Sequence, residues 1–103
     1  MGTYRLTRDA GRDLSGIREF TIRQWGNEQS RKYIVDLRKT LALLSDNPLI
    51  GSRRGDIGEG IYSFPHASHV IYYLLENKHL IVIGVLHSSM VPSNHLEGRT
   101  SAS

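Results

Sequence analysis

The sequence contains no cysteine, and this absence excludes several kinds of site. Without thiols the chain has no disulfide, no thiolate ligand for a metal and no cysteine nucleophile. Long apolar runs are missing too, because the longest, 70–75 and 80–86, are far shorter than the roughly 18 residues that a membrane span needs. The first residues, 1–5, show no signal-peptide pattern. The sequence therefore predicts a cytoplasmic protein with no membrane partner.

Charge is unevenly distributed along the chain. Residues 1–54 contain eleven Lys or Arg and six Asp or Glu, whereas residues 55–103 contain two and four, together with all five histidines. A basic N-terminal half can attract an acidic protein or a nucleic acid, although a solvated helix surface has the same composition. The length of 103 residues predicts a single domain over 1–97, followed by a disordered polar tail over 98–103.

The N-terminal half has the apolar spacing of two amphipathic helices. After a short predicted strand, Tyr4–Leu6, Thr7 is a candidate N-cap and Gly26 a candidate helix end with a left-handed backbone. Between them, one stripe recurs every three or four residues: Ala10, Leu14, Ile17, Thr21 and Trp25. This spacing places Trp25 on the core face, beneath the turn, rather than on a surface that stacks nucleic acid bases.

A second stripe follows at once. Asn27 is a candidate N-cap for the second helix, and Asp46, Asn47 and Pro48 are expected to end it. Its stripe consists of Ser30, Tyr33 or Ile34, Leu37, Leu41 and Leu44. Because the link is only Gly26 and Asn27, the two helices are predicted to fold back as a hairpin.

The C-terminal half has the pattern of strands. Residues 48–60 are predicted to be a loop that carries Arg53 and Arg54. Strands are predicted at 61–64, ending before Pro65, and at 68–75 and 80–87, joined through the polar residues 76–79. Pro92 is expected to open a last helical turn. Helices grouped before a meander of strands indicate an α+β domain.

Four segments resemble, in order and at family spacing, the motifs of RelE/ParE toxins: WGNEQ at 25–29, LLSDNPLIG at 43–51, FPHASHVIYY at 64–73 and VLHSSM at 85–90. The resemblance covers residues 4–96 and is strongest to ParE-like toxins of type II toxin–antitoxin systems. It implies an α+β fold with an N-terminal strand, a helical hairpin and a three-stranded antiparallel meander. It also implies a ParD-like antitoxin as partner and DNA gyrase as target, with DNA contacted only through the antitoxin and no cofactor.

The resemblance leaves two activities open, because RelE-like relatives are ribosome-dependent mRNA endoribonucleases. Metal-free RNA cleavage needs a base, an acid and cations that balance the phosphate charge. The predicted strands hold one Lys, Lys78, at a hairpin tip, and Ser89 stands where the family usually has Arg. Since Ser cannot neutralise a phosphate, the sequence predicts a non-enzymatic inhibitor. The alternatives are a ribonuclease that uses His69 and His87, and an attenuated toxin that only binds antitoxin.

Candidate contacts with the target or the antitoxin follow from these positions. His69 and His87 lie on adjacent predicted strands and are expected to be close across the sheet. Tyr72 and Tyr73 are expected on opposite faces, one in the core and one toward a partner. No metal site is predicted, since no third histidine or carboxylate follows at ligand spacing. The full set of candidates is Arg53, Arg54, His69, Tyr73, His87, Ser89 and Met90.

Overall fold

The computed structural model describes residues 3–99 and shows two long helices packed on one face of a five-stranded sheet. The strands are β1 (Tyr4–Leu6), β2 (Ser52–Arg53), β3 (Tyr62–His66), β4 (His69–Glu76) and β5 (His79–His87). The helices are α1 (Arg8–Trp25), α2 (Asn27–Asp46), a 3-10 turn (Pro48–Ile50) and α3 (Pro92–Leu96). The sheet order is β1-β5-β4-β3-β2, with β1 parallel to β5 and the other pairs antiparallel. The predicted α+β fold is confirmed, and β2 extends the meander.

Helix α1 begins and is buried as its sequence predicts. The Thr7 hydroxyl caps it by accepting the backbone N–H of Ala10 at 3.1 Å. Its buried residues are Ala10, Leu14, Ile17 and Thr21. Trp25, at the end of the same stripe, is 50% exposed, so the prediction that it lies on the core face is wrong. Its ring lies at a tilted angle beside the Tyr33 ring, with 5.9 Å between the ring centroids.

One glycine joins the two helices. Gly26 adopts φ 91° and ψ 170°, a conformation that L side chains rarely take, although it is not the left-handed helical one that the sequence predicted. Because the chain reverses at this single residue, Asn27 is already the first residue of α2 and gives no side-chain cap, contrary to prediction. The hydroxyls of Thr21 and Ser30 meet at 2.6 Å between the helices and fix the hairpin.

The predicted loop and strand bounds need correction. Residues 48–60 are not wholly irregular, since Pro48–Ile50 form a 3-10 turn and β2 pairs with β3. Strand β2 has only two residues, which are too few to show the alternating pattern of a strand in the sequence. Strand β3 also runs through Pro65 instead of ending before it. Because β2 reaches only Tyr62 and Ser63, the edge of β3 at Pro65 is open, where a missing N–H is tolerated.

The sheet has an apolar layer on each face. On the helix face, Ile71, Tyr73, Leu80, Val82 and Val85 pack against the buried stripes of α1 and α2. On the other face, Tyr72, Ile81, Ile83 and Leu86 pack against Ile61 and against Leu96 of α3. Tyr72 and Tyr73 do point to opposite faces, but both are buried, so neither is free to face a partner.

The first and the last described residues each contact the body of the fold. Thr3 and β1 lie beside the start of β5, where Thr3 Oγ1 is 2.7 Å from His79 Nδ1. Arg99, inside the predicted disordered tail, contacts Asp13 of α1, while residues 100–103 of that tail lie outside the described residues. Within residues 3–99, no helix is both long and apolar enough to cross a membrane.

Candidate functional site

Two histidines face each other at the end of the sheet. His69 of β4 is paired with His87 of β5, and their ring centroids are 5.6 Å apart. His69 is nearly buried, and the Tyr33 hydroxyl of α2 lies 2.6 Å from its Nδ1. His87 is exposed. The predicted proximity of the pair is confirmed, and Tyr33 is a third member that the sequence did not suggest.

The environment of the buried histidine favours its neutral form. Burial lowers the pKa of His69, and the neighbouring charges of His87 and His66 lower it further. Burial also lowers the pKa of His66, whose Nδ1 lies 2.8 Å from the Thr40 hydroxyl, and Asp36 opposes that shift. Burial raises the pKa of Tyr33, so its hydroxyl stays protonated. At neutral pH these side chains therefore offer hydrogen bonds and ring edges, not charge.

His87 is held by the residue that departs from the family pattern. The backbone N–H of Ser89 donates to His87 Nδ1 at 3.1 Å, and the Ser89 hydroxyl lies 2.7 Å from the same nitrogen. A backbone N–H can only donate, so Nδ1 is the acceptor and the ring proton is on Nε2. Ser89 thus fixes the orientation of the exposed His87 ring.

A β-bulge in β5 brings His87 to this face. Tyr72 pairs with Gly84 and Tyr73 pairs with Val82, which makes Ile83 an extra residue in β5. Side chains of a regular strand alternate between faces, and one extra residue inverts the alternation that follows. Val82 and Val85, three residues apart, accordingly lie in the same core layer. Without the bulge, His87 would lie on the face opposite His69.

A groove runs from this histidine pair along α1. We call it the sheet-end groove; its volume is about 430 Å³. Its apolar lining is Ile17, Phe20, Val85, Leu86 and Met90, and its polar lining is Arg12, Asp13, His69, His87, Ser89 and His95. Phe20 is 51% exposed and Met90 is 43% exposed. Large apolar side chains left open beside polar groups are typical of a surface that binds a protein partner.

Four of the seven predicted contact residues, His69, His87, Ser89 and Met90, meet in this groove. The sequence does contain a signal for Phe20 as a contact residue, because it is an aromatic residue of α1 that lies outside the predicted apolar stripe. Arg12 has no comparable signal, because the α1 pattern does not show that this part of the helix lies beside the ends of β4 and β5. Trp25 extends the surface, since its ring packs on Tyr33, which in turn packs on His69.

The other three candidates lie elsewhere. Tyr73 is fully buried; its hydroxyl donates to the Pro48 carbonyl at 2.7 Å and accepts the Gly51 N–H at 3.1 Å, so it supports the loop and does not reach the surface. Arg54 pairs with Asp56 and lies over the Tyr72 ring on the far face of the sheet. Arg53, in the edge strand β2, is exposed.

The outer surface of the helical hairpin carries a second groove of about 430 Å³. We call it the hairpin groove. Its lining is Arg18, Ile22, Asn27, Ser30, Arg31, Ile34, Val35 and Arg38. Three arginines surround an apolar strip, and Val35 is 44% exposed. This combination suits an amphipathic segment with acidic side chains.

Known proteins resemble this chain in sequence and in fold. A family model described as the ParE toxin of the type II toxin–antitoxin system parDE matches residues 4–92. Toxin ParE1 of Caulobacter vibrioides is 32% identical over 96 residues, which is 93% of this chain and 99% of the relative. Toxin ParE1 of Mycobacterium tuberculosis is 30% identical over 88 residues, which is 84% of this chain and 90% of the relative.

The fold agrees with this sequence similarity. A chain from a solved structure of the chromosomal ParDE toxin–antitoxin system of P. aeruginosa superposes with a TM-score of 0.73 at 18% identity, covering 84% of this chain and 96% of that chain. That likeness shows a common architecture, and the sequence matches assign the family. The chain therefore belongs to the ParE toxins of type II toxin–antitoxin systems.

Proposed function

We propose that this toxin inhibits DNA gyrase in the cytoplasm by binding it, without catalysing a reaction, and that a ParD-like antitoxin neutralises it. The sheet-end groove carries the proposal. Phe20 and Met90 are open to solvent beside the histidine pair, and such apolar anchors with a polar rim provide most of the energy in protein interfaces.

The histidine pair supports binding better than acid–base chemistry. His69 is nearly buried and its Nδ1 is engaged by Tyr33, while His87 Nδ1 is engaged by Ser89. Each ring therefore has one nitrogen already committed. Cleavage of RNA also needs cations around the phosphate, and Arg12 is the one arginine that lines the groove with the pair. Position 89 gives a hydroxyl where the family usually has a guanidinium.

Neutralisation is supported by the hairpin groove. Arg18, Arg31 and Arg38 are placed around Ile22 and Val35, so an acidic amphipathic helix can pair its carboxylates with the rim and its apolar side with the strip. A disordered antitoxin tail can fold on such a surface. The groove is separate from the sheet-end groove, although α1 lines both.

Two assays with purified toxin test the target. We expect inhibition of supercoiling by purified gyrase, no cleavage of mRNA on ribosomes, and full relief of inhibition by antitoxin. Cleavage of ribosome-bound mRNA with gyrase activity unaffected would show the ribonuclease alternative instead. In that case, replacing both His69 and His87 with Ala should abolish cleavage.

The attenuated alternative is tested in cells. We expect induction of the gene without its antitoxin to arrest growth, with recovery when the antitoxin is co-expressed. Continued growth at the same level of soluble protein would indicate a chain that binds antitoxin and does not act on a target.

A further inference from the structure

The β-bulge in β5 is bridged from outside the sheet by an ion pair between the two ends of the described chain. Asp13 of α1 and Arg99, after α3, meet with Oδ2 and Nη1 2.7 Å apart. Each side chain is 17% exposed, so the pair is largely shielded from water. Asp9 lies farther away, 3.9 Å from Arg99 Nε.

Both charged groups also bond to the backbone of the bulge, on either side of Gly84. The Val85 N–H donates to Asp13 Oδ2 at 3.0 Å, and Arg99 Nη1 donates to the Ile83 carbonyl at 3.3 Å. Strand β1 pairs with β5 only as far as Val82, where the Thr7 N–H bonds to the Val82 carbonyl. Within residues 3–99, the backbone groups of β5 beyond that point pair with no strand on this edge. The ion pair supplies the hydrogen bonds that the sheet does not provide there.

Gly84 makes room for this arrangement. A Cβ at Gly84 would lie 2.7 Å from Leu96 Cδ2 and 3.1 Å from Arg99 Nη1. Leu96 is buried against the far face of the sheet, and the Arg99 N–H bonds back to the Leu96 carbonyl. Helix α3 thus delivers Arg99 to the bulge because position 84 has no side chain.

We propose that the Asp13–Arg99 ion pair is a positioning pair that holds the bulge and thereby decides which side chains of β5 line the sheet-end groove. Holding Ile83 as the extra residue turns Val85 and His87 to the helix face, next to His69. Asp13 also lines the groove, whereas Arg99 does not, so Arg99→Gln tests the effect through the backbone by itself. The importance of the ion pair for gyrase inhibition rests on the proposed function, whereas its effect on β5 does not.

Amide hydrogen exchange and NMR contacts in the full chain test the effect on β5. Asp13→Ala and Arg99→Gln should each speed exchange of the Val85 amide about tenfold or more, because a hydrogen bond to a charged group is lost. Amides of Leu37 and Leu41 in α2 should change less than about threefold, as expected for local opening. The contact between the His69 and His87 rings should weaken in both variants.

Milder variants and matched controls keep the test decisive if a variant unfolds. Asp13→Asn keeps an oxygen that accepts the Val85 N–H, and Arg99→Lys keeps the charge, so both should give smaller increases. Glu19→Gln and Arg8→Gln remove exposed charges from α1 and should change nothing. The proposal is overturned if Val85 exchange is unchanged, or if it rises only in step with the α2 amides, which would mean general destabilisation.

Gyrase inhibition is measured on the same proteins. We expect Asp13→Ala and Arg99→Gln to weaken inhibition about tenfold, following the misplaced His87, with antitoxin affinity unchanged. A wild-type protein that fails to inhibit gyrase would refute the proposed function, while the exchange data would still decide the role of the ion pair. Inhibition that stays at the wild-type level while Val85 exchange accelerates would overturn the link from the bulge to the target site.

Discussion

The sheet-end groove and the hairpin groove each enclose about 430 Å³, and α1 lines both, yet their chemistry differs. The sheet-end groove has an aromatic ring, a methionine and three imidazoles. The hairpin groove has a short apolar strip between arginines. Grooves of equal size on one small domain are therefore suited to different partners, because specificity depends on what must be desolvated or paired and not on volume.

A substitution at Phe20 should give the largest difference between the effects on gyrase inhibition and on antitoxin binding. Replacing Phe20 with Ala removes the exposed ring and should weaken gyrase inhibition about 30-fold, as expected when a central aromatic contact worth about 2 kcal/mol is lost. Phe20→Leu keeps an apolar side chain and should lose much less. Dose–response curves for supercoiling check this, with antitoxin affinity as control. Equal losses in both measurements would mean that the two partners share this surface.

Reversing charges in the hairpin groove should have the opposite selectivity to the Phe20 substitution, because it should affect antitoxin binding and not gyrase inhibition. Arg31→Glu combined with Arg38→Glu should weaken antitoxin binding about tenfold at low salt, and the difference should shrink in about 0.5 M salt. Gyrase inhibition should remain unchanged. The pair Arg5→Glu and Arg23→Glu, on exposed positions outside the groove, changes the net charge equally and should have a smaller effect. Similar effects of both pairs would point to general attraction.

Substitutions at position 89 test how the sheet-end groove contributes to gyrase inhibition. Ser89→Arg restores the residue that the family pattern usually has and should strengthen gyrase inhibition about threefold to tenfold, in the range of one charge-assisted hydrogen bond. Ser89→Ala removes the hydroxyl that contacts His87 without adding charge, so it should weaken inhibition slightly. Growth arrest on induction and supercoiling assays measure both. A Ser89→Arg protein no stronger than wild type would argue against attenuation at this position.

Acid should lower the stability of the domain through the buried histidine of the sheet-end groove and its neighbour His66. His69 and His66 have pKa values below their ordinary value of about 6.5, so in the window below that pH the unfolded chain binds protons that the folded chain does not. The free energy of unfolding should therefore fall as pH drops through about 6.5, by at most about 1.4 kcal/mol per pH unit for each histidine, and level off below the folded-state pKa.

Urea unfolding between about pH 7.5 and pH 5.5 measures this loss. His69→Gln should flatten the profile, and His95→Gln, on α3, serves as the control. A profile that is equally steep without His69 would assign the pH dependence to other groups.

The repeating local patterns were predictable from the sequence. The stripes of α1 and α2 depend on a spacing that each helix carries within itself, and the residues from Ala10 to Leu44 followed it apart from Trp25. Trp25 did not, because periodicity gives the direction of a side chain but not whether another element covers it. The prediction that Asn27 caps α2 was wrong for a related reason, since the sequence could not show that Gly26 alone reverses the chain.

The candidate site was only half predictable. The pairing of His69 with His87 follows from adjacent strands, but a regular strand would have placed them on opposite faces. The bulge at Ile83 depends on Asp13 and Arg99, which are far apart in sequence, so no local pattern signals it. Tyr33 and Arg12 reach the site from helices that pack on the sheet. Such contributions are set by tertiary packing and not by periodicity.

The parallel pairing of β1 with β5 places the first and last strands of the sheet side by side. During translation β1 leaves the ribosome early and has no strand to join until the end of the meander follows it. Asp13 likewise cannot form its ion pair until Arg99 has been synthesised. A chain interrupted before β5 therefore lacks both the β1 pairing and the bridged bulge, and a chain interrupted between β5 and Arg99 lacks the bridge, whatever helices it has already formed. The order of synthesis thus delays the assembly of a harmful surface until almost all of the described chain has been made.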